Sequence, residues 1–306
     1  MIGINTCGLV MLTRRIFLKM CLAHLAICGG SAFAGTAGSY SFTGDAVFQR
    51  ILSKAKSQCW SALPIGVLVG KIGTEFRGTP YRAGVLEVDK NREVCSANMC
   101  AVDCVTFVET ALAFARMLKK GGGNQSDFLD ELKFIRYRDG HLGDYTSRLH
   151  YSSDWFINNE KKNVFKILSD LQGSKTFVPN VYFMSKHPEA YPQLMGHPEL
   201  VEKIKSQENE LHGRSISFVP LGKIRGVERL LQTGDIIGIC TSAAGLDVAH
   251  MGMIVRDRGT AKLMHASSKK MKVVLEAEPL HQVLKKPTYT GIIIARPLEI
   301  NGKSTD

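Results

Sequence analysis

Three side chains in this 306-residue sequence, Cys104, His250 and His265, have the types and settings that nucleophilic chemistry needs. Cys104 follows Asp103 and opens a segment in which Val105, Val108, Leu112, Ala115 and Leu118 recur at helical spacing. The pattern predicts an amphipathic helix from Cys104 to Leu118 with Asp103 as its N-cap. A cysteine in the first turn of a helix faces unpaired amides and the positive end of the helix dipole, which favours the attacking thiolate. A helix-start cysteine can equally be an inert core thiol, so the bases near it decide the reading.

His250 lies in Asp247-Val248-Ala249-His250-Met251-Gly252-Met253-Ile254-Val255, and His265 in Leu263-Met264-His265-Ala266-Ser267. Both stand in short apolar runs that read as consecutive strands. On an antiparallel pair they could be neighbours, so that His250 takes the thiol proton while His265 holds its far ring nitrogen and selects the tautomer. Each histidine alone could be a satisfied core residue; with Cys104 they form a candidate Cys-His-His set. Zinc is the rival use of such residues. The spacing Cys95-x4-Cys100-x3-Cys104 lacks the paired signatures of a structural site, and no glutamate ligand pattern accompanies the histidines. No metal or other cofactor is expected.

The elements that must position these groups divide the chain. Its first half reads mainly helical, with a further helix from Pro198 to Leu211. Its last third reads as strands over Asp235 to Thr241, Met251 to Arg256, Ala261 to Ala266, Lys272 to Glu276 and Gly291 to Arg296. The intervals between consecutive strands leave little chain for helical crossovers, which favours an antiparallel meander. Helices followed by strands make an α+β fold, with the Cys104 helix packed on the sheet. No internal repeat or low-complexity tract is present.

Thr13-Arg14-Arg15-Ile16-Phe17-Leu18-Lys19, followed by a weakly apolar run ending in Ala32-Phe33-Ala34, reads as a twin-arginine export signal over residues 1–34. The alternative is an uncleaved amphipathic anchor. The run is too short to span a bilayer, and no other stretch approaches the roughly 18 to 20 apolar residues required. Ile27 before Cys28 disfavours lipidation, and both Met1 and Met11 are open as the start. Residues 35–306 are expected to form one catalytic domain in the periplasm or outside the cell. That segment keeps 36 basic against 28 acidic residues, a net of about +8. The basic residues are scattered, which argues against a nucleic-acid groove; they suit an anionic polymer or a neutral role equally. It also holds five cysteines, Cys59, Cys95, Cys100, Cys104 and Cys240. An odd number in an oxidising compartment suggests one thiol kept free, and Cys95 and Cys100 are close enough to pair.

Gly78-Thr79-Pro80-Tyr81, Asp103-Cys104, Gly234-Asp235-Ile236-Ile237, His250-Met251-Gly252 and His265-Ala266-Ser267 occur in the chain order of the NlpC/P60 cysteine peptidases, which the sequence resembles. More narrowly, Gly78 through Glu87, Asp103 through Glu109, and the stretch from Ile135-Arg136-Tyr137-Arg138-Asp139-Gly140 to Ser153-Asp154-Trp155 resemble the DUF1460 branch, a family of N-acetylmuramoyl-L-alanine amidases. The resemblance runs from about Gly73 to Pro297. It departs from the wider family where Val105-Thr106 replaces Ser-Gly after the cysteine, and in a longer interval between Tyr81 and Cys104.

The resemblance implies a papain-like fold with Cys104 as nucleophile, His250 as general base and acid, and His265 as orienting residue. It also implies that the Tyr81 hydroxyl donates to the oxyanion beside the Cys104 amide. Tyr145 to Trp155 mixes aromatics, an arginine and an acid, a composition suited equally to a sugar-peptide ligand and to a solvated loop around a core Trp155. The branch points to Asp154 and Trp155 as substrate contacts, then Arg148 and Tyr151. The expected substrate is peptidoglycan or a muropeptide, cut between N-acetylmuramic acid and L-alanine. A monomer is expected, with no nucleic-acid partner and no stable membrane insertion once the signal is removed. The alternatives are a stem-peptide endopeptidase cutting after γ-D-glutamate, a cysteine acyltransferase, and an inactive wall-binding module.

Overall fold

The computed structural model describes residues 39–300. The export segment read in residues 1–34 lies outside them. Strand β1 (Tyr40–Thr43) leads into helices α1 (Asp45–Ser57) and α2 (Ile65–Glu75), and then β2 (Cys95–Asn98), which pairs with β1 in parallel. Helices α3 (Cys104–Lys119), α4 (Gln125–Arg136) and α5 (Ser152–Lys161) follow. Beyond two short strands, β3 (Phe165–Ile167) and β4 (Lys175–Phe177), come α6 (Pro198–His212) and β5 (Ile216–Pro220). The last strands are β6 (Ile236–Thr241), β7 (Val248–Asp257), β8 (Thr260–Ser267), β9 (Lys272–Pro279) and β10 (Tyr289–Pro297). Helices packed on an antiparallel sheet make a mixed α/β architecture.

The eight-stranded sheet has the order β4-β5-β10-β6-β7-β8-β9, with β3 also paired to β10. β6 through β9 form the expected meander. β10 departs from it by returning to the free side of β6. The far edge, β9, is already occupied, because Gly78–Tyr81 pairs with its first residues. The Gly78 N–H donates to Val273 O at 2.9 Å, the Val273 N–H to Thr79 O at 2.8 Å, and Pro80 bridges Lys272.

α3 is the centre of the core. Thr106 through Leu118 are all buried, so the helix expected to be amphipathic is enclosed on every side rather than along one stripe. The sheet covers one face of α3, while α2 and α4 cover others. Phe107, Leu112 and Phe114 are fully enclosed, and each such side chain contributes about 1.5–3 kcal/mol. The two buried charges on this helix are matched: Glu109 meets Arg136 at 2.8 Å and Arg116 meets Glu131 at 2.8 Å, all four side chains being buried. Removing one partner alone would strand a buried charge.

Candidate active site

Cys104 is the first residue of α3, and its position follows from a closed capping box. The Thr106 N–H donates to Asp103 Oδ1 at 2.8 Å, and the Asp103 N–H donates to Thr106 Oγ1 at 2.9 Å. The sulfur faces the backbone N–H groups of Met251, Cys104 and Val105. Met251 follows His250 directly, so the thiol lies against the strand that carries the candidate base. The residue remains partly open to solvent.

The thiolate expected from the helix terminus is not the resting form. Burial, then the neighbouring Asp103 carboxylate, pushes the thiol up to about 12, outweighing the three amides that favour the anion. The helix end is still directed at the sulfur, but the helix's own cap is an acid placed beside it.

The two histidines do meet. His250 Nε2 lies 2.5 Å from His265 Nδ1, with the rings edge to face at 4.8 Å between centroids. They are diagonal neighbours: the β7–β8 register pairs Met253 with Met264, which sets His265 beside Gly252. A Cβ at Gly252 would lie 2.8 Å from Met264 O and 3.1 Å from His265 Cβ. Glycine at this position therefore leaves the room in which His265 leans toward His250. Burial, then the His265 and Lys286 charges, lowers His250 to about 3; burial also lowers His265, against the pull of Glu276. Both rings are accordingly neutral near pH 7.

Beyond the pair, His265 Nε2 meets Glu276 Oε1 at 3.0 Å, and Lys270 Nζ donates to Glu276 Oε2 at 2.6 Å. These two residues escape a motif-based reading. Only the hairpin register reveals Glu276: His265 pairs with Val274, so Glu276, two residues on, shares its face where the ladder begins to shift.

Tyr81 sits in the segment that laces the site together. Its N–H donates to Met271 O at 3.0 Å, the Val102 N–H donates to Pro80 O at 3.0 Å, and the Arg82 N–H donates to Val102 O at 2.9 Å. One short stretch thus joins the turn between β8 and β9 to the residues just before Cys104, leaving Tyr81 half-buried.

Of the four residues expected at the substrate surface, Trp155, Tyr151 and Arg148 are buried, and Asp154, mostly buried too, lines a small cavity with Arg138. Trp155 is 1% exposed and packs on Phe156 and Phe165, with ring centroids 5.3 and 5.2 Å away, so it offers no open face to a sugar. Tyr151 is buried, donating its hydroxyl to Glu208 Oε1 at 2.7 Å and accepting from the Met184 N–H at 2.9 Å. Buried Arg148 pairs with Glu87 at 2.7 Å and Glu93 at 3.4 Å, over the Tyr145 ring. Asp154 is held by Arg138 through two hydrogen bonds, 2.5 and 3.2 Å long. A stretch mixing aromatic, basic and acidic groups satisfies itself internally, and this composition does not separate that outcome from ligand binding.

Its tie to the site is indirect: the Ser153 N–H donates to Asp247 Oδ2 at 2.6 Å, just ahead of β7. Among the described residues, Cys59, Cys95, Cys104 and Cys240 are free thiols, so the disulfide considered between Cys95 and Cys100 does not form. No three His, Cys, Asp or Glu side chains among the described residues are grouped to hold a metal ion. No described helix is long and apolar enough to cross a membrane.

A family model described as AmiA-like, N-acetylmuramoyl-L-alanine amidase-like, matches residues 71–292. Among solved structures, an N-acetylmuramoyl-L-alanine amidase from Bacteroides uniformis is 36% identical, covering 76% of this chain and 99% of its own, with a TM-score of 0.71. A Bacteroides fragilis protein named as a candidate xylanase is 38% identical over 74% of this chain and 99% of its own, TM-score 0.69. A Legionella pneumophila protein of the family DUF1460 shares the fold at 18% identity, covering 83% and 96%, TM-score 0.60. No curated protein matches.

Proposed function

From the premise that the chain belongs to the AmiA-like, N-acetylmuramoyl-L-alanine amidase-like family, we propose that it is a cysteine amidase cleaving the bond between N-acetylmuramic acid and L-alanine. The observation that carries this reading is the arrangement of Cys104 and two coupled histidines. The sulfur lies against the Met251 amide, and His250 Nε2 is engaged by His265 at 2.5 Å, leaving Nδ1 as the nitrogen available to the thiol. A helix-start cysteine packed on an antiparallel sheet, with its base on a neighbouring strand, supports the NlpC/P60, papain-like assignment.

In the proposed mechanism the Cys104 thiol gives its proton to His250 Nδ1 as the sulfur bonds to the lactyl carbonyl carbon. Burial disfavours both the thiolate and the imidazolium, so in this mechanism the proton passes to His250 as the sulfur attacks. The Cys104 amide and the Tyr81 hydroxyl donate to the oxyanion. His250 then protonates the alanine nitrogen as the C–N bond breaks, leaving a thioester on Cys104. Water, deprotonated by His250, attacks the thioester carbonyl and restores the thiol. Residues 35–306 act as one catalytic unit, delivered to the periplasm or beyond by residues 1–34 and working as a monomer.

Digestion of defined muropeptides, read by mass spectrometry, tests the assignment. The expected products are a sugar ending in a free lactyl carboxylate and an intact stem peptide beginning with L-alanine. Cys104→Ala should abolish both while retaining the fold. Peptide truncated after γ-D-glutamate would move the scissile bond into the stem, and cleavage of xylan in its place would overturn the amidase reading.

A further inference from the structure

Glu276 touches the histidine pair yet has no part in the mechanism above. It stands on β9, two residues from the Val274 that pairs with His265, and accepts from Lys270, a residue of the turn joining β8 to β9. That turn is itself braced by the Lys270 N–H donating to Ser267 Oγ at 3.2 Å. Acid, cation and histidine thus belong to one hairpin. Burial would push the Glu276 carboxyl up, but hydrogen bonds from His265 and Lys270 outweigh it and hold it below its ordinary range. The other charged groups facing the reacting residues are Lys286, which acts on both imidazoles, and Asp103 beside the thiol.

We propose that Glu276 is a positioning residue: its carboxylate, anchored by Lys270, sets the tautomers of both histidines so that His250 presents an Nδ1 lone pair to Cys104. The proton count follows atom by atom. An ionised carboxylate only accepts, so the Nε2 of His265 must carry hydrogen. A neutral His265 then has a lone pair on Nδ1, which accepts from His250 Nε2–H. A neutral His250 with hydrogen on Nε2 has its lone pair on Nδ1. Reversing the first contact reverses all the others and leaves His250 with an Nδ1–H that cannot accept the thiol proton. One carboxylate therefore decides the state of a base two hydrogen bonds away.

This inference rests on the reading of Cys104 as nucleophile and His250 as its base, but its first test needs no substrate. Imidazole ¹⁵N spectra of the resting full-length protein report which ring nitrogen carries hydrogen. In the wild type both rings should be Nε2–H. Glu276→Ala should populate the reversed arrangement, with Nδ1–H on both rings. Glu276→Gln, which preserves shape and whose amide oxygen can still accept, should lie between the two. On muropeptide, kcat should fall about 10- to 100-fold with KM unchanged. In both variants the acid limb of kcat/KM should move to lower pH, because the imidazolium has lost its anionic partner. Unchanged tautomers together with an unmoved acid limb in folded Glu276→Ala would overturn the proposal, whatever the loss in rate. A wild-type protein inert toward muropeptides would instead sink the proposed function and leave the spectral result standing.

Discussion

The backbone N–H of Ser153 donates to the Asp247 carboxylate at 2.6 Å, linking the first turn of α5 to the chain three residues before His250. The other Asp247 oxygen accepts from the Val248 N–H at 2.6 Å. α5 has no side-chain cap of its own, since its N-cap residue is Tyr151, so Asp247 caps it from across the fold. The carboxylate thereby stabilises a helix and steers the approach to the His250 strand.

Asp247→Ala should therefore cost about 1–2 kcal/mol, the usual loss for an N-cap. Urea unfolding monitored by circular dichroism would measure it. Turnover should fall as well, with kcat more affected than KM, because the entry of β7 loses its anchor. Unchanged stability would mean that the helix end is capped by some other group.

Gly252→Ala tests the space beneath the histidine pair. The new Cβ would meet Met264 O and Leu263 Cδ1 at 2.8 Å and His265 Cβ at 3.1 Å, and relief requires β7 and β8 to part or the ring to move. Overpacking of this kind costs about 1–3 kcal/mol. The expected result is a folded protein of lower denaturation midpoint and sharply reduced kcat. Full activity would show that the His250–His265 contact tolerates displacement.

The protonation state of Cys104 has an alkaline signature. Its folded value is raised, by burial and then by Asp103, from 9.0 to about 12. The contribution of this thiol to stability is therefore complete below about pH 9 and is lost as pH rises toward about 12, where the unfolded thiol is already ionised. Alkylation of Cys104 by iodoacetamide should keep accelerating beyond pH 9, and Cys104→Ser should flatten the alkaline fall in unfolding free energy. An alkylation plateau between pH 5 and 8 would instead reveal a resting thiolate–imidazolium pair.

Trp155 separates packing from substrate contact. Trp155→Ala should destabilise the fold by about 3–5 kcal/mol, as expected for emptying a large aromatic site. Trp155→Phe should retain the fold and leave KM for muropeptide unchanged. A marked rise in KM for the phenylalanine variant, with stability intact, would return this residue to the ligand surface.

Much of this protein is readable along the chain because the relevant physics is local. The Asp103 cap, the helical spacing behind Cys104 and the apolar runs carrying His250 and His265 declare themselves over a few residues, and each element formed close to its expected bounds. Other features depend on what meets across the fold. Gly78–Tyr81 occupies the β9 edge, and β10 returns to the free side of β6. Register across the β8–β9 hairpin places Glu276 on the His265 face, a diagonal relation that no spacing rule in one strand can announce. The Tyr145–Trp155 stretch has the composition of a binding surface, but neighbouring elements bury Trp155 and Tyr151 and supply the partners of Arg148 and Asp154. At Cys104 the chain specifies a thiol at a helix start, where dipole and amides favour the anion. The fold around it adds the opposing burial and the Asp103 charge that push the thiol up, because desolvation depends on the complete surroundings of the sulfur.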